Sequence, residues 1–269
     1  MTSALPVELL DQIFADLTSA RDLANVSSVC KLFHAVVEPH LFRAVTITSL
    51  KQLRSFNQAM VDKSARVALR SWRALFQENP RTALQRLEFV YCDIDPTALK
   101  RILSMTGGLK ELIIKMDRGD SAVANFQDYA ENLEEVATTL ESLTIDTDAS
   151  TSGSPFRLRN MIALRNVAID ASIWFGLLCT YPETTSEQLL RSILPPRIER
   201  MEIGGWGVTE DVDMSTTGDP LLQMLQPMFN DVQSLAPALK HIGRGPLPLP
   251  RVSPAFRKAC MVNGISTDF

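Results

Sequence analysis

The feature that most constrains this chain is a spacing: an aliphatic residue, a second one three positions later, and a third two positions after that. Leu84, Leu87 and Phe89 begin the series, which returns at Leu109, Leu112 and Ile114, at Leu140, Leu143 and Ile145, at Leu164, Val167 and Ile169, and at Ile198, Met201 and Ile203. A fragment stands at Leu239 and Ile242. The two-residue step is the period of a strand with one face in the core, because successive side chains of a strand point to opposite faces. The copies start at 84, 109, 140, 164 and 198, which are 25, 31, 24 and 34 residues apart. Between them apolar residues recur at helical spacing over Pro96 to Met105, Val123 to Thr138, Ser186 to Leu194 and Pro220 to Leu235. One short strand with one helix cannot bury its apolar face alone, so such units must stack.

In the first copy Cys92 and Ile94 complete the spacing L-x-x-L-x-L-x-x-N/C-x-L of a leucine-rich repeat, and turn the chain back into the core as it leaves the strand. The predicted fold class is α/β: a three-helix segment at residues 1–45, then an irregular leucine-rich-repeat-like solenoid of parallel strands and helices at 46–269. A compact α/β sheet domain is the competing architecture. Phe42, Val45 and Ile47 alternate with smaller residues as a short strand, and two helices are expected before Pro80, carrying Leu50, Leu53, Phe56 and Met60 and then Val67, Trp72, Leu75 and Phe76. Ser253-Pro254 with Phe256, Cys260 and Met261 predicts a terminal helix stopped near Gly264. In a solenoid the outward strand residues line the concave face: Arg86, Glu88, Glu111, Lys115, Ser142, Thr144, Asp146, Asn166, Asp170, Arg200 and Glu202. These are the candidate target contacts, and an ordinary solvated sheet surface is the alternative.

Residues 1–45 follow a different period. Leu9, Leu10, Ile13, Phe14 and Leu17 share one arc of a helix of roughly 140°, and Pro6 suits its first turn. Ser19 and Asp22 have the spacing of a capping box, predicting a second helix with Leu23 and Val26 inward. Ser27 or Ser28 can cap a third, carrying Val29, Cys30, Phe33, Val36 and Val37 and closed by Pro39. About forty residues of this kind are marginal alone, so a partner or a packed neighbour is expected.

Leu5-Pro6, Glu8-Leu9, Ile13-Phe14, Leu17, Asp22-Leu23, Val29-Cys30 and Phe33 stand in the order and spacing of an F-box, which this stretch resembles. Phe33 departs from the pattern, where many members place Trp. The resemblance implies docking on the Skp-type adaptor of a cullin–RING ubiquitin ligase, with the remainder of the chain selecting the target protein. Leu5, Pro6, Leu9, Ile13, Leu23, Val29 and Cys30 are the implied adaptor contacts, and Leu10, Phe14 and Leu17 are shared with the internal core. An F-box followed directly by irregular repeats resembles large fungal families of such proteins. The implied function is substrate recognition within an SCF-type ligase; the alternative is a scaffold outside the ligase.

The remaining composition narrows the partners. Asp and Glu total 31 against 27 Lys and Arg, which gives no broad electrostatic footprint for nucleic acid. Cys30, Cys92, Cys179 and Cys260 lack paired spacing and read as buried free thiols of a reducing compartment, cytoplasmic or nuclear. No apolar run is long enough to span a membrane. The segments 146–155 and 204–220, the second with Trp206 among acidic residues, read as loops, and Gly243 to Arg251 as extended polyproline II. No H-E-x-x-H, G-x-S-x-G, phosphate-binding loop or G-x-G-x-x-G occurs, and His34, His40 and His241 have no motif around them. A non-catalytic binding protein without a cofactor is therefore expected.

Overall fold

Every repeated aliphatic triplet becomes a strand, and each strand lies beside the next in chain order. The computed structural model describes residues 6–17, 19–41, 43–61, 84–92, 94–116, 126–147, 154–176, 185–204, 219–245 and 252–269. Strands β1 (Ala44–Ile47), β2 (Arg86–Val90), β3 (Glu111–Lys115), β4 (Ser142–Asp146), β5 (Asn166–Asp170), β6 (Arg200–Gly204), β7 (His241–Arg244) and β8 (Ser266–Thr267) form one sheet in the order β1-β2-β3-β4-β5-β6-β7-β8. Every pairing is parallel.

Register follows the triplets. Leu87, Leu112, Leu143, Val167, Met201 and Ile242 stand opposite one another across the sheet, and Phe89, Ile114, Ile145, Ile169 and Ile203 form a second row two residues on. Both rows are buried, as are the triplet-opening Leu84, Leu109, Leu140, Leu164, Ile198 and Leu239. A one-residue slip would turn both rows to the other face, so the register is strongly specified. The residue before each strand joins the same ladder: the N–H groups of Lys110, Glu141, Arg165, Glu199 and Lys240 each donate to the carbonyl of the preceding member, Gln85 through Glu199, at 2.8–2.9 Å.

Helices cover the buried face. These are α4 (Leu50–Val61), α5 (Pro96–Leu103), α6 (Phe126–Leu133) continued by a 3₁₀ turn at Glu134–Val136, α7 (Ala171–Trp174), α8 (Glu187–Ile193), α9 (Pro220–Asn230), α10 (Val232–Leu235) and α11 (Pro254–Val262). Six of them start on side-chain caps: Ser49, Asp95, Ser186, Asp219, Asp231 and Ser253 accept from the N–H groups of Gln52, Ala98, Leu189, Leu222, Ser234 and Phe256. The expected single helix over 220–235 is instead two, because Asp231 leaves helical geometry at φ −145° and caps the second through the Ser234 N–H. The expected extended segment from Gly243 begins inside β7, and β8 is a strand that the spacing does not announce. The second expected helix before Pro80, Trp206, Cys179 and most of the two loops lie outside the described residues.

The N-terminal helices α1 (Val7–Ala15), α2 (Ala20–Ser27) and α3 (Lys31–Leu41) close a separate interior of Leu10, Phe14, Leu23, Val36 and Val37. Phe14 meets Phe33 edge to face at 5.4 Å, and His40 bonds Asp11 at 2.8 Å. The Ser19 side chain accepts from the Asp22 N–H as expected. Ser27 and Ser28 instead donate backward to Ala24 and Asn25, ending α2, and α3 continues through Pro39 to Leu41. The segment then joins the sheet directly: Arg43 accepts from the N–H groups of Gln85 and Arg86, and β1 pairs with β2.

Candidate functional site: an apolar helical surface

Five of the ten large apolar side chains exposed among the described residues fall between Val7 and Leu32. Val7 and Leu9 are 48% and 45% exposed, Ile13 51%, Val29 68% and Leu32 44%. Pro6 and Cys30 are exposed beside them. Single exposed apolar residues are ordinary, but a concentration of this kind marks an interaction surface.

Two elements make it. On α1 the neighbours divide: Leu10 and Phe14 turn into the helical interior, while Leu9 and Ile13 remain in solvent. Between α2 and α3, Val29 and Cys30 precede the helix rather than lying within it, and the Cys30 sulfur accepts from the Phe33 N–H at 3.5 Å. Cys30 is thus an exposed cap, not the buried thiol that its apolar neighbourhood suggests, whereas Cys92 and Cys260 are buried. Burial pushes the Cys260 thiol up to about 12.

Of the expected adaptor contacts, Pro6, Leu9, Ile13, Val29 and Cys30 are exposed, and Leu5 lies outside the described residues. Leu23 is corrected: at 4% exposed it belongs to the interior, because the apolar face of α2 turns toward α3.

The outer face of the sheet is the second surface. Glu111, Arg86, Glu88 and Lys115 form one connected chain of ion pairs, with Arg86–Glu111 at 2.6 Å, Arg86–Glu88 at 3.6 Å and Lys115–Glu88 at 3.0 Å. Burial works to raise the Glu88 pKa, but the hydrogen bond and charge of Lys115, with Arg86, outweigh it and hold the carboxyl below its ordinary value. Farther along, Arg200 pairs with Glu202 at 2.6 Å. Asn166 and Arg200 are exposed, and Ser142, Thr144, Asp146 and Glu202 are half-buried. Asp170 is corrected: it is 1% exposed, at the end of β5 where α7 begins immediately. Two residues in and beside this sheet escape the spacing argument. Ile113 is an apolar side chain in the Glu88–Thr144 row, and Tyr91 is 65% exposed at φ 54°, the one positive-φ residue other than glycine among the described residues.

A third cluster joins β7 to β8. His241 Nδ1 lies 3.0 Å from Ser266 Oγ, and Nε2 lies 3.6 Å from an Asp268 oxygen. The serine hydroxyl also donates to the Lys240 carbonyl at 2.9 Å. The three residues hold the last strand in place. Among the described residues no three or more His, Cys, Asp or Glu side chains gather as a metal site, and no helix is long and apolar enough to cross a membrane.

The fold and the exposed helical surface define a protein-interaction module attached to a parallel, sequentially ordered sheet. Residues 2–48 match the model of the F-box-like family, so this module is an F-box-like domain; such domains generally bind Skp-type adaptors. No curated protein matches the chain.

Proposed function

We propose that this chain is the substrate-recognition subunit of an SCF-type E3 ubiquitin ligase, joining a target protein to the Skp-type adaptor and through it to the cullin. The observation that carries the reading is the exposure of Leu9, Ile13 and Val29 in an F-box-like domain whose interior is already closed by Leu10, Phe14 and Leu23. Covering such side chains releases water at about 25 cal/mol per Å² of apolar area, the usual driving force for association. The sheet, an irregular leucine-rich-repeat-like solenoid in this proposal, presents Arg86, Glu88, Glu111, Lys115, Ser142, Thr144, Asp146, Asn166, Arg200 and Glu202 to the target. The chain positions the target and does no chemistry itself, and its free thiols suit a reducing compartment, cytoplasmic or nuclear.

Capture of purified Skp-type adaptor by the chain tests the reading. Ile13→Asp places a charge in the contact and is expected to abolish capture with an unchanged circular dichroism spectrum, because the side chain supports nothing inside the domain. Undiminished capture would contradict the interface. Capture without recruitment of cullin or ubiquitin transfer would point to a scaffold outside the ligase.

A further inference from the structure

Among the described residues β8 is the last strand of the sheet and pairs on one side only, and we propose that this edge binds an extended segment of a partner protein, acidic and apolar in composition, as a ninth strand. The site lies seven strand spacings from β1, about 34 Å, and does not depend on adaptor docking.

Backbone geometry supplies the first argument. β8 is last in the strand order, and the Ser266 N–H donates toward β7, to Lys240, at 2.9 Å. Alternate residues of a parallel strand direct their N–H and C=O to opposite sides, so those of Thr267 face away from the sheet. An outward donor and acceptor are what a further strand pairs with.

The surroundings supply the second. Gly264, at φ 71°, reverses the chain after α11 and brings the last turns of that helix beside β8. Between them runs a groove of about 750 Å³ lined by Arg257, Lys258, Met261, Ile265 and Thr267 among others. Met261 and Val262 are 72% and 74% exposed, the most exposed large apolar side chains among the described residues. Such residues are poor guards of an open edge and good contacts for the alternate side chains of an added strand.

Charge then selects the occupant. Arg257 and Lys258 are exposed and join no ion pair among the described residues, and no acidic residue lines the groove. On the outer sheet face, by contrast, Arg86, Lys115 and Arg200 are all paired. A second copy docked about a two-fold axis would set these cations against themselves. An acidic strand from a different protein meets complementary charge.

The test is fluorescence anisotropy with the whole chain and labelled peptides of about eight residues. One probe alternates valine with glutamate, one alternates valine with lysine, and one is the acidic probe with alternate backbone amides N-methylated. The acidic probe is expected to saturate and to bind at least about tenfold more tightly than the other two, and Arg257→Glu with Lys258→Glu is expected to reverse the charge preference. Equal binding of acidic and basic probes, undiminished binding of the methylated probe, or no binding at all would overturn the proposal, the last leaving the cations as simple protection of the edge. A dimer in sedimentation that Met261→Asp dissolves would overturn it in favour of a second copy.

Discussion

Leu9 and Leu10 are adjacent in the chain, yet one is 45% exposed and the other 4%. Their helical arc is legible in the sequence; the boundary between interior and surface within it is set by where α3 crosses α1. Leu23 is the opposite case: its helical pattern places it inward, where it lies, and only the family resemblance set it among the adaptor contacts. Asp170 shows the reverse error, since an outward strand position becomes buried when a helix follows it without a linker. Gly243 is a position where only geometry speaks: a Cβ there would stand 2.5 Å from His241 Nε2 and 2.8 Å from an Asp268 oxygen. Gly243→Ala is therefore expected to cost roughly 1–3 kcal/mol in urea unfolding, and an unchanged midpoint would show that the β7–β8 clasp yields freely. Glu88 gives a pH prediction. Its folded pKa lies below the unfolded value near 4.5, so its contribution is present above that pH and is lost as pH falls through the lowered value. Lys115→Met removes the main cause and should flatten the loss of stability below pH 4.5, measured by denaturation across that range. A slope identical to wild type would separate Glu88 from Lys115 energetically.

At the level of elements, starts were easier to read than ends. Caps and first-turn prolines are local chemistry, and Asp95-Pro96, Ser186, Asp219-Pro220 and Ser253-Pro254 each begin a helix through the hydrogen bond their side chains suggest. Ends depend on what lies beyond. Pro39 does not stop α3, because a proline in a last turn loses little when the following residues still pack, whereas Asp231 divides an apolar run that looks continuous. Asp95→Ala removes the bond to the Ala98 N–H at 2.9 Å and is expected to cost about 1 kcal/mol, while Asp95→Asn retains most of it. Equal loss in both variants would show that the carboxylate acts through its charge at the helix end rather than through the bond.

At the scale of the molecule, the recurring triplet was enough to foresee the strands from β2 to β7, because a period-two pattern with one buried face leaves a single register. It did not foresee β8, whose two residues carry no triplet and are held through Ser266 and the groups around His241. Nor does it distinguish a surface that binds from one that is merely wet, since the ion pairs of the outer face satisfy most of its charges within the chain. The division of labour proposed here therefore rests on the other end of the molecule, where apolar side chains remain uncovered. Amide hydrogen exchange on the chain titrated with purified Skp-type adaptor tests this most directly. Saturable association is expected, with slowed exchange in α1, in α2 and through the turn carrying Val29 and Cys30, and little change along the strands. No association, or protection confined to the sheet, would contradict it.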